Sequence, residues 1–221
     1  MKGMSYLKSP ILKLNNLHYE VENKKIIEDI NLTVDKGEIV TIIGPSGSGK
    51  STLLKLVGSL IQPTRGEVLY EGKNIYDIQM TEYRKEVTYF FQNALLFGET
   101  VEDNLRYPYK IRSEKFNQTK AEEMLENLQL DKSILKKSIN SISGGEKQRV
   151  ALVRNLLYQP KVLLLDEITS SLDAQNRAIV KDHLKRLQSQ DDITVLMVTH
   201  NEKEIEDADR TIEIINGRIE N

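Results

Sequence analysis

The sequence predicts an α/β fold: a mostly parallel sheet flanked by helices, with an N-terminal antiparallel β subdomain and an inserted helical subdomain. Three observations carry that reading. The runs "IVTIIG" (Ile39–Gly44), "VLLLDE" (Val162–Glu167) and "TVLMVTH" (Thr194–His200) are apolar almost throughout and end in polar residues or glycine, as strands covered on both faces do. Helical periodicity fills the intervals between them. The first third of the chain instead alternates apolar and polar residues at close to period two, the mark of half-buried antiparallel strands.

In chain order, Ile11–Val21, Ile26–Val34 and Gly66–Ile75 read as these antiparallel strands, the last broken by a hairpin turn at "EGKN". Between them lies the buried strand Ile39–Gly44. It is followed by a helix over Lys50–Leu60, whose Leu53, Leu56, Val57 and Leu60 share a face. Residues 100–159 lack buried-strand runs and carry helical patterns at Lys120–Leu128 and Gly145–Tyr158. They read as an insertion within the core, so that residues 1–221 form a single domain. A helix over Gln175–Gln188 separates the last two buried strands, and the tail after His200 reads as a short helix and a final hairpin.

Composition narrows the function classes. Lys plus Arg is 31 against 33 for Asp plus Glu, a net charge of -2, which argues against nucleic acid as a partner. With no cysteine there is no disulfide framework, thiolate nucleophile or Cys-ligated zinc. The opening "MKGMSYLKSPILKLNN" has no uninterrupted apolar core, so no secretory signal is expected. No apolar run approaches the ~18 residues of a membrane span. Work at a membrane would require another chain to do the spanning.

The stretch "GPSGSGKS" follows a buried strand and opens a helix, the context in which G-x-x-x-x-G-K-[ST] binds phosphate. Gly44, Gly47 and Gly49 let backbone N–H groups turn inward, with Pro45, Ser46 and Ser48 between them. The helix that begins near Lys50, Ser51 and Thr52 points its positive end at the same anion. Lys50 is placed to reach the β- and γ-phosphates, and Ser51 to ligate Mg2+. At the end of "VLLLDE", Asp166 is the candidate for holding that ion through water, and Glu167 for orienting or deprotonating an attacking water. Alone, such an acidic pair is also an ordinary solvated strand end.

A second glycine turn, "SISGGEKQRVALVRN" (Ser141–Asn155), stands at the start of another helical pattern. The order of P-loop, Gln92, "ISGGEKQR", "VLLLDE", "SSLD" (Ser170–Asp173) and His200 resembles that of the ATP-binding cassette ATPases, over nearly the whole chain. The resemblance implies a P-loop NTPase core, ATP and Mg2+ as ligands, and hydrolysis of MgATP. It also implies a head-to-tail homodimer in which each ATP lies between the P-loop of one copy and Ser143, Gly144, Gly145 and Glu146 of the other. The second glycine turn then serves the neighbour's nucleotide. By the same resemblance Tyr19 stacks on adenine, Gln92 senses Mg2+ and the water, His200 contacts the γ-phosphate, and "SSLD" links the two sites. Without it, Ser143 is a helix cap, Tyr19 a strand tyrosine and His200 a structural histidine.

Two positions depart from the family pattern. Glu146 stands where glutamine is usual and brings a negative charge beside the phosphate, to be offset by Lys147 or Arg149. Ile168 stands where many members have proline. The apolar run Thr88–Pro108, with Phe90, Phe91, Leu95, Leu96 and Phe97, fits either core or the family's groove for a short helix of a membrane partner. The runs "LFGETVEDNLRYPYKIR" and "ISGGEKQRVALVRNLLYQPKVLLLDEITSSLD" are similar to ATPase subunits of the bacterial iron-export (FetA-like) group. That similarity implies a separate multi-span permease, a location on the cytoplasmic face of the cell membrane, and efflux of a metal such as iron. A non-transport cassette ATPase acting on DNA or ribosomes is the alternative. It usually brings coiled-coil insertions, tandem cassettes or basic arms, which this sequence lacks. A nucleotide kinase would leave the second glycine turn and His200 unexplained.

Overall fold

The computed structural model describes residues 10–92, 95–170 and 172–220. Its first half contains β1 (Pro10–Val21), β2 (Lys24–Asp35), β3 (Ile39–Ile43), α1 (Lys50–Val57), β4 (Arg65–Tyr70), β5 (Lys73–Asn74), α2 (Met80–Glu86) and β6 (Val87–Phe90). Then follow α3 (Val101–Lys110), α4 (Gln118–Asn127), α5 (Gly144–Leu156), β7 (Val162–Asp166), α6 (Ala174–Asp191), β8 (Thr194–Val198), α7 (Glu202–Glu206), β9 (Arg210–Ile215) and β10 (Arg218–Glu220).

Two sheets form. The antiparallel one has the order β2-β1-β4-β5, and the other β10-β9-β3-β8-β7-β6. In the second sheet every pairing is parallel except the terminal β9–β10 hairpin. The expected parallel strands therefore all lie in one sheet. Three strands not foreseen in it are β6, at one edge, β9, which pairs with the P-loop strand β3, and β10, at the other edge beside β9.

The alternation along β7 explains how the layers are held. Val162 and Leu164 join the core between the two sheets, with Leu53, Leu54, Leu56 and Val57 of α1. Leu163 and Leu165 point the other way, into a core shared with α3, α4, α5 and α6. A strand covered on both faces must be apolar at every position, as this one is until Asp166. Its first polar residue thus falls at the carboxyl end, the edge at which parallel sheets bind ligands.

The insertion is mostly helical, as the sequence predicts, but contains one more α-helix than expected and a 3-10 turn at Lys132–Lys136. Helix α3 starts with a capping box between Thr100 and Asp103 and holds Pro108 within it. Its fully buried Asn104 accepts from the Phe97 N–H at 3.1 Å and donates to the Phe97 and Thr100 carbonyls at 2.8 and 3.0 Å. Arg154 of α5 donates to the same amide oxygen at 3.1 Å. One side chain so ties the segment after Gln92 to two helices. The apolar residues around Gln92 divide as well: Phe90 is core, while Phe91, Leu95 and Phe97 are exposed.

Candidate functional site

The P-loop joins β3 to α1 and is shaped by three left-handed glycines. Gly44 and Gly49 have φ of +135° and +108°, and a Cβ there would come within 2.1 Å of the Ile214 carbonyl oxygen and 2.8 Å of that of Ile26. Only glycine permits so close an approach of β9 and β2. The loop is also pinned by the Gly217 N–H, which donates to the Ser48 carbonyl at 2.9 Å. Gly49 caps α1 without a side-chain hydrogen bond, so the first turn of N–H groups faces outward with the helix's positive end.

Lys50 curls over this loop. Its ammonium donates to the carbonyls of Gly44 and Pro45, both at 2.7 Å. The side chain is buried, and the hydrogen bonds of its ammonium among the described residues go to these two carbonyls. A buried cation held by neutral carbonyls alone is incompletely compensated, and an anion at the loop completes it. The buried Ser48 hydroxyl, which has no hydrogen-bond partner among the described residues, points to the same conclusion. The cradle fits a polyphosphate.

At the head of α1, Ser51 Oγ donates to Asp166 Oδ1 at 2.7 Å. The other oxygen, Oδ2, accepts from the Tyr89 hydroxyl at 2.5 Å. Asp166 is buried. Burial and this carboxylate together push the Tyr89 phenol upward, so it stays protonated and donates. Hard oxygen donors of this kind suit Mg2+. Among the described residues no group of three His, Cys, Asp or Glu side chains is placed to form a metal cage. That fits an ion that retains water and takes substrate phosphate as ligand.

Glu167 follows Asp166 directly and has φ of +50°, uncommon for a residue with a side chain. This turn is held by its N–H to the Val198 carbonyl at 3.1 Å and by the Ser170 N–H and Oγ on its own carbonyl, at 3.1 and 2.8 Å. Its carboxylate meets two of the expected residues. Gln92 Nε2 donates to Oε2 at 3.1 Å, and His200 Nε2 stands 3.5 Å from Oε1. Glu167, Ser170, His200, Asn201 and their neighbours line a cleft of about 280 Å3.

The second glycine turn opens α5. Ser143 caps α5 in a reciprocal capping box: its Oγ accepts from the Glu146 N–H at 3.2 Å, and its own N–H donates to Glu146 Oε2 at 2.7 Å. Glu146 thereby occupies the Ser143 N–H. The N–H groups of Gly144 and Gly145 remain, with the Ser143 hydroxyl proton. The Ser143 N–H holds the Glu146 carboxyl below the usual range. Arg149, expected to offset that charge, is buried and donates to Asn176 of α6. Ile168 is buried and its carbonyl accepts from Gln148 of α5 at 2.9 Å. Its side chain therefore fills core where a proline ring would be smaller.

The structure thus gathers Lys50, Ser51, Gln92, Asp166, Glu167 and His200 at one sheet edge, and sets Ser143, Gly144, Gly145 and Glu146 at the N-terminus of α5, where Gly145 approaches Asn176 of α6. Ser46 and Gly47 lie at the exposed loop tip, and Thr52 one residue beyond Ser51 on α1. Tyr19 is half-buried on β1 opposite Ile27, next to the backbone that Gly49 approaches. Of "SSLD", Ser171 lies outside the described residues; Asp173 caps α6 by accepting from the Asn176 N–H at 2.8 Å. Tyr89 was not foreseen. Nothing in a lone strand tyrosine marks its hydroxyl as a partner of Asp166.

Residues 27–170 match the family model described as "ABC transporter". The chain is 47% identical over 204 residues to the probable iron export ATP-binding protein FetA of Escherichia coli K12, covering 92% of this chain and 91% of that protein. It is 37% identical over 218 residues to the spermidine/putrescine import ATP-binding protein PotA of Spiroplasma citri, covering 97% of this chain but 61% of that one. Among solved structures, the dimeric ATP-binding cassette MJ0796 in a post-hydrolysis state with ADP and Pi superposes with a TM-score of 0.85. Identity to it is 31%, and the match covers 95% of this chain and 97% of that chain.

Proposed function

The chain belongs to the ABC transporter family and is one of its ATPases; from that premise, we propose that it powers a separate multi-span permease through an ATP-bridged homodimer. The observation that carries the reading is the grouping of Ser51, Asp166, Glu167, Gln92 and His200 at one sheet edge, beside a second glycine turn that opens α5 with its Gly144 and Gly145 N–H groups free of the capping box. Each site is then composite, and a two-fold axis relates the pair.

Within each site the P-loop N–H groups and Lys50 hold the β- and γ-phosphates, Lys50 exchanging its carbonyl partners for phosphate oxygens. Tyr19 stacks on the base. Ser51 and Asp166 would hold a Mg2+, which would neutralise charge on the transferring phosphoryl group when bound. Glu167 accepts a proton from the attacking water, with Gln92 and His200 orienting its carboxylate and the γ-phosphate. Gly144, Gly145 and the Ser143 hydroxyl of the second copy close on the same phosphate. Hydrolysis removes that bridge, and the dimer opens.

Residues 1–221 act as one nucleotide-binding domain, with residues 100–159 as its helical subdomain. Among the described residues no helix is long and apolar enough to cross a membrane. We place the chain on the cytoplasmic face of the cell membrane, bound to its permease, with no nucleic acid partner. A metal such as iron is the cargo we assign, on the strength of the Escherichia coli relative. The test is recovery of tagged Glu167→Gln protein with MgATP from detergent-solubilised membranes, with bound chains identified by mass spectrometry. One co-purifying chain with several apolar spans supports the reading, and vesicle transport of iron then tests the cargo. Ribosomal or other soluble partners alone would overturn the transporter role and leave the ATPase.

A further inference from the structure

We propose that Tyr89 is a positioning residue for the Mg2+ site: its phenol fixes the Asp166 carboxylate in the rotamer that the ion requires. The inference rests on the MgATP reading above. Asp166 accepts one side-chain hydrogen bond on each oxygen, from Ser51 at 2.7 Å and from Tyr89 at 2.5 Å. Ser51 is the hydroxyl that turns to the ion when MgATP binds. Tyr89 is then the remaining side-chain donor on Asp166 among the described residues, and it alone opposes rotation about the carboxylate's last torsion.

The tyrosine is itself held to that task. It stands on β6 opposite Leu164 of β7, so its side chain reaches forward along the neighbouring strand to Asp166. Its ring lies against the carboxyl end of α1, where a Cβ on Gly58 would be 3.3 Å from the Tyr89 ring. On the other side it meets Phe91 edge-on, with centroids 4.8 Å apart. The ring cannot swing without disturbing both contacts. The neutral phenol donates to the carboxylate without adding charge, so the negative charge of Asp166 stays available to the cation. The same short strand leads into Gln92, which bonds to Glu167. One edge strand thus steadies both acidic residues at the end of β7.

Outer-sphere partners of this kind are worth about 10-fold or more in metal affinity. The test measures binding of a fluorescent ATP analogue to wild type and Tyr89→Phe as Mg2+ is titrated, with a parallel series in EDTA. We expect the Mg2+ concentration for half-maximal enhancement to rise about 10-fold in Tyr89→Phe, with affinity in EDTA within about twofold of wild type. Tyr89→Phe combined with Asp166→Asn should show no added loss, since the hydroxyl acts through that carboxylate. Tyr89→Met, of similar bulk, serves if the phenylalanine variant does not fold. An unchanged Mg2+ midpoint, or an equal loss with and without Mg2+, overturns the proposal. If wild type itself shows no Mg2+ enhancement, the MgATP reading has failed instead.

Discussion

Glu167 combines a left-handed backbone with a carboxylate whose oxygens face Gln92 and His200 separately. An amide in its place keeps the shape and loses the base. Glu167→Gln is expected to lower phosphate release by ~100-fold or more while retaining nucleotide binding, and a steady-state phosphate assay with an ATP-analogue titration checks both. Glu146 invites a different substitution. Glutamine can also close a capping box, so Glu146→Gln keeps the bond to Ser143 and loses only the charge at the positive end of α5. The Glu146 carboxyl is held below its usual range by the Ser143 N–H, so its contribution is present above the unfolded value and vanishes as pH falls through the lowered folded one. Denaturant melts should show wild type ahead of Glu146→Gln by about 0.5 kcal/mol near neutral pH, with the gap closing on the acid side of the carboxylate range. A gap that widened in acid would contradict the assignment.

The elements divide by how much of their pattern the sequence can express. β3, β7 and β8 are legible because burial on both faces forces an apolar run that ends at the ligand edge. β6 is not. Its four residues merge into the aromatic stretch beyond, and as an edge strand it carries half-buried Thr88 and Tyr89. β9 alternates like a half-buried antiparallel strand, although it pairs in parallel with β3. α3 escaped because it is polar on its outer face and contains Pro108, features that argue against a helix when read locally. The site follows the same division. Motif spacing exposes Lys50, Ser51, Asp166 and Glu167, whereas the direction of the Glu146 carboxylate and the reach of Tyr89 are tertiary facts. α3 also carries an element-scale test. Asn104→Ala removes the shared partner of Phe97, Thr100 and Arg154, leaving buried polar groups unpaired. It should cost about 3 kcal/mol in denaturant unfolding, whereas a loss below about 0.5 kcal/mol would mean that the tie contributes little.

For the molecule as a whole, the central claim is that each ATP is bridged between two copies of the chain, the P-loop and the end of β7 from one and the Ser143 turn from the other. The Ser143 turn makes its hydrogen bonds to itself, and its helix is tied to α6 through Arg149 and Asn176. The P-loop and the end of β7 form the other half. The account therefore makes the active species a dimer, and specific ATPase activity should rise with protein concentration until dimers saturate. A rate strictly proportional to concentration across the range would place the whole catalytic site in a monomer. The most direct measurement is sedimentation velocity on Glu167→Gln protein, with saturating MgATP in one cell and MgADP in another. The account predicts a dimer with MgATP and a monomer with MgADP. A monomer under both conditions, with ATP shown to be bound, would contradict it.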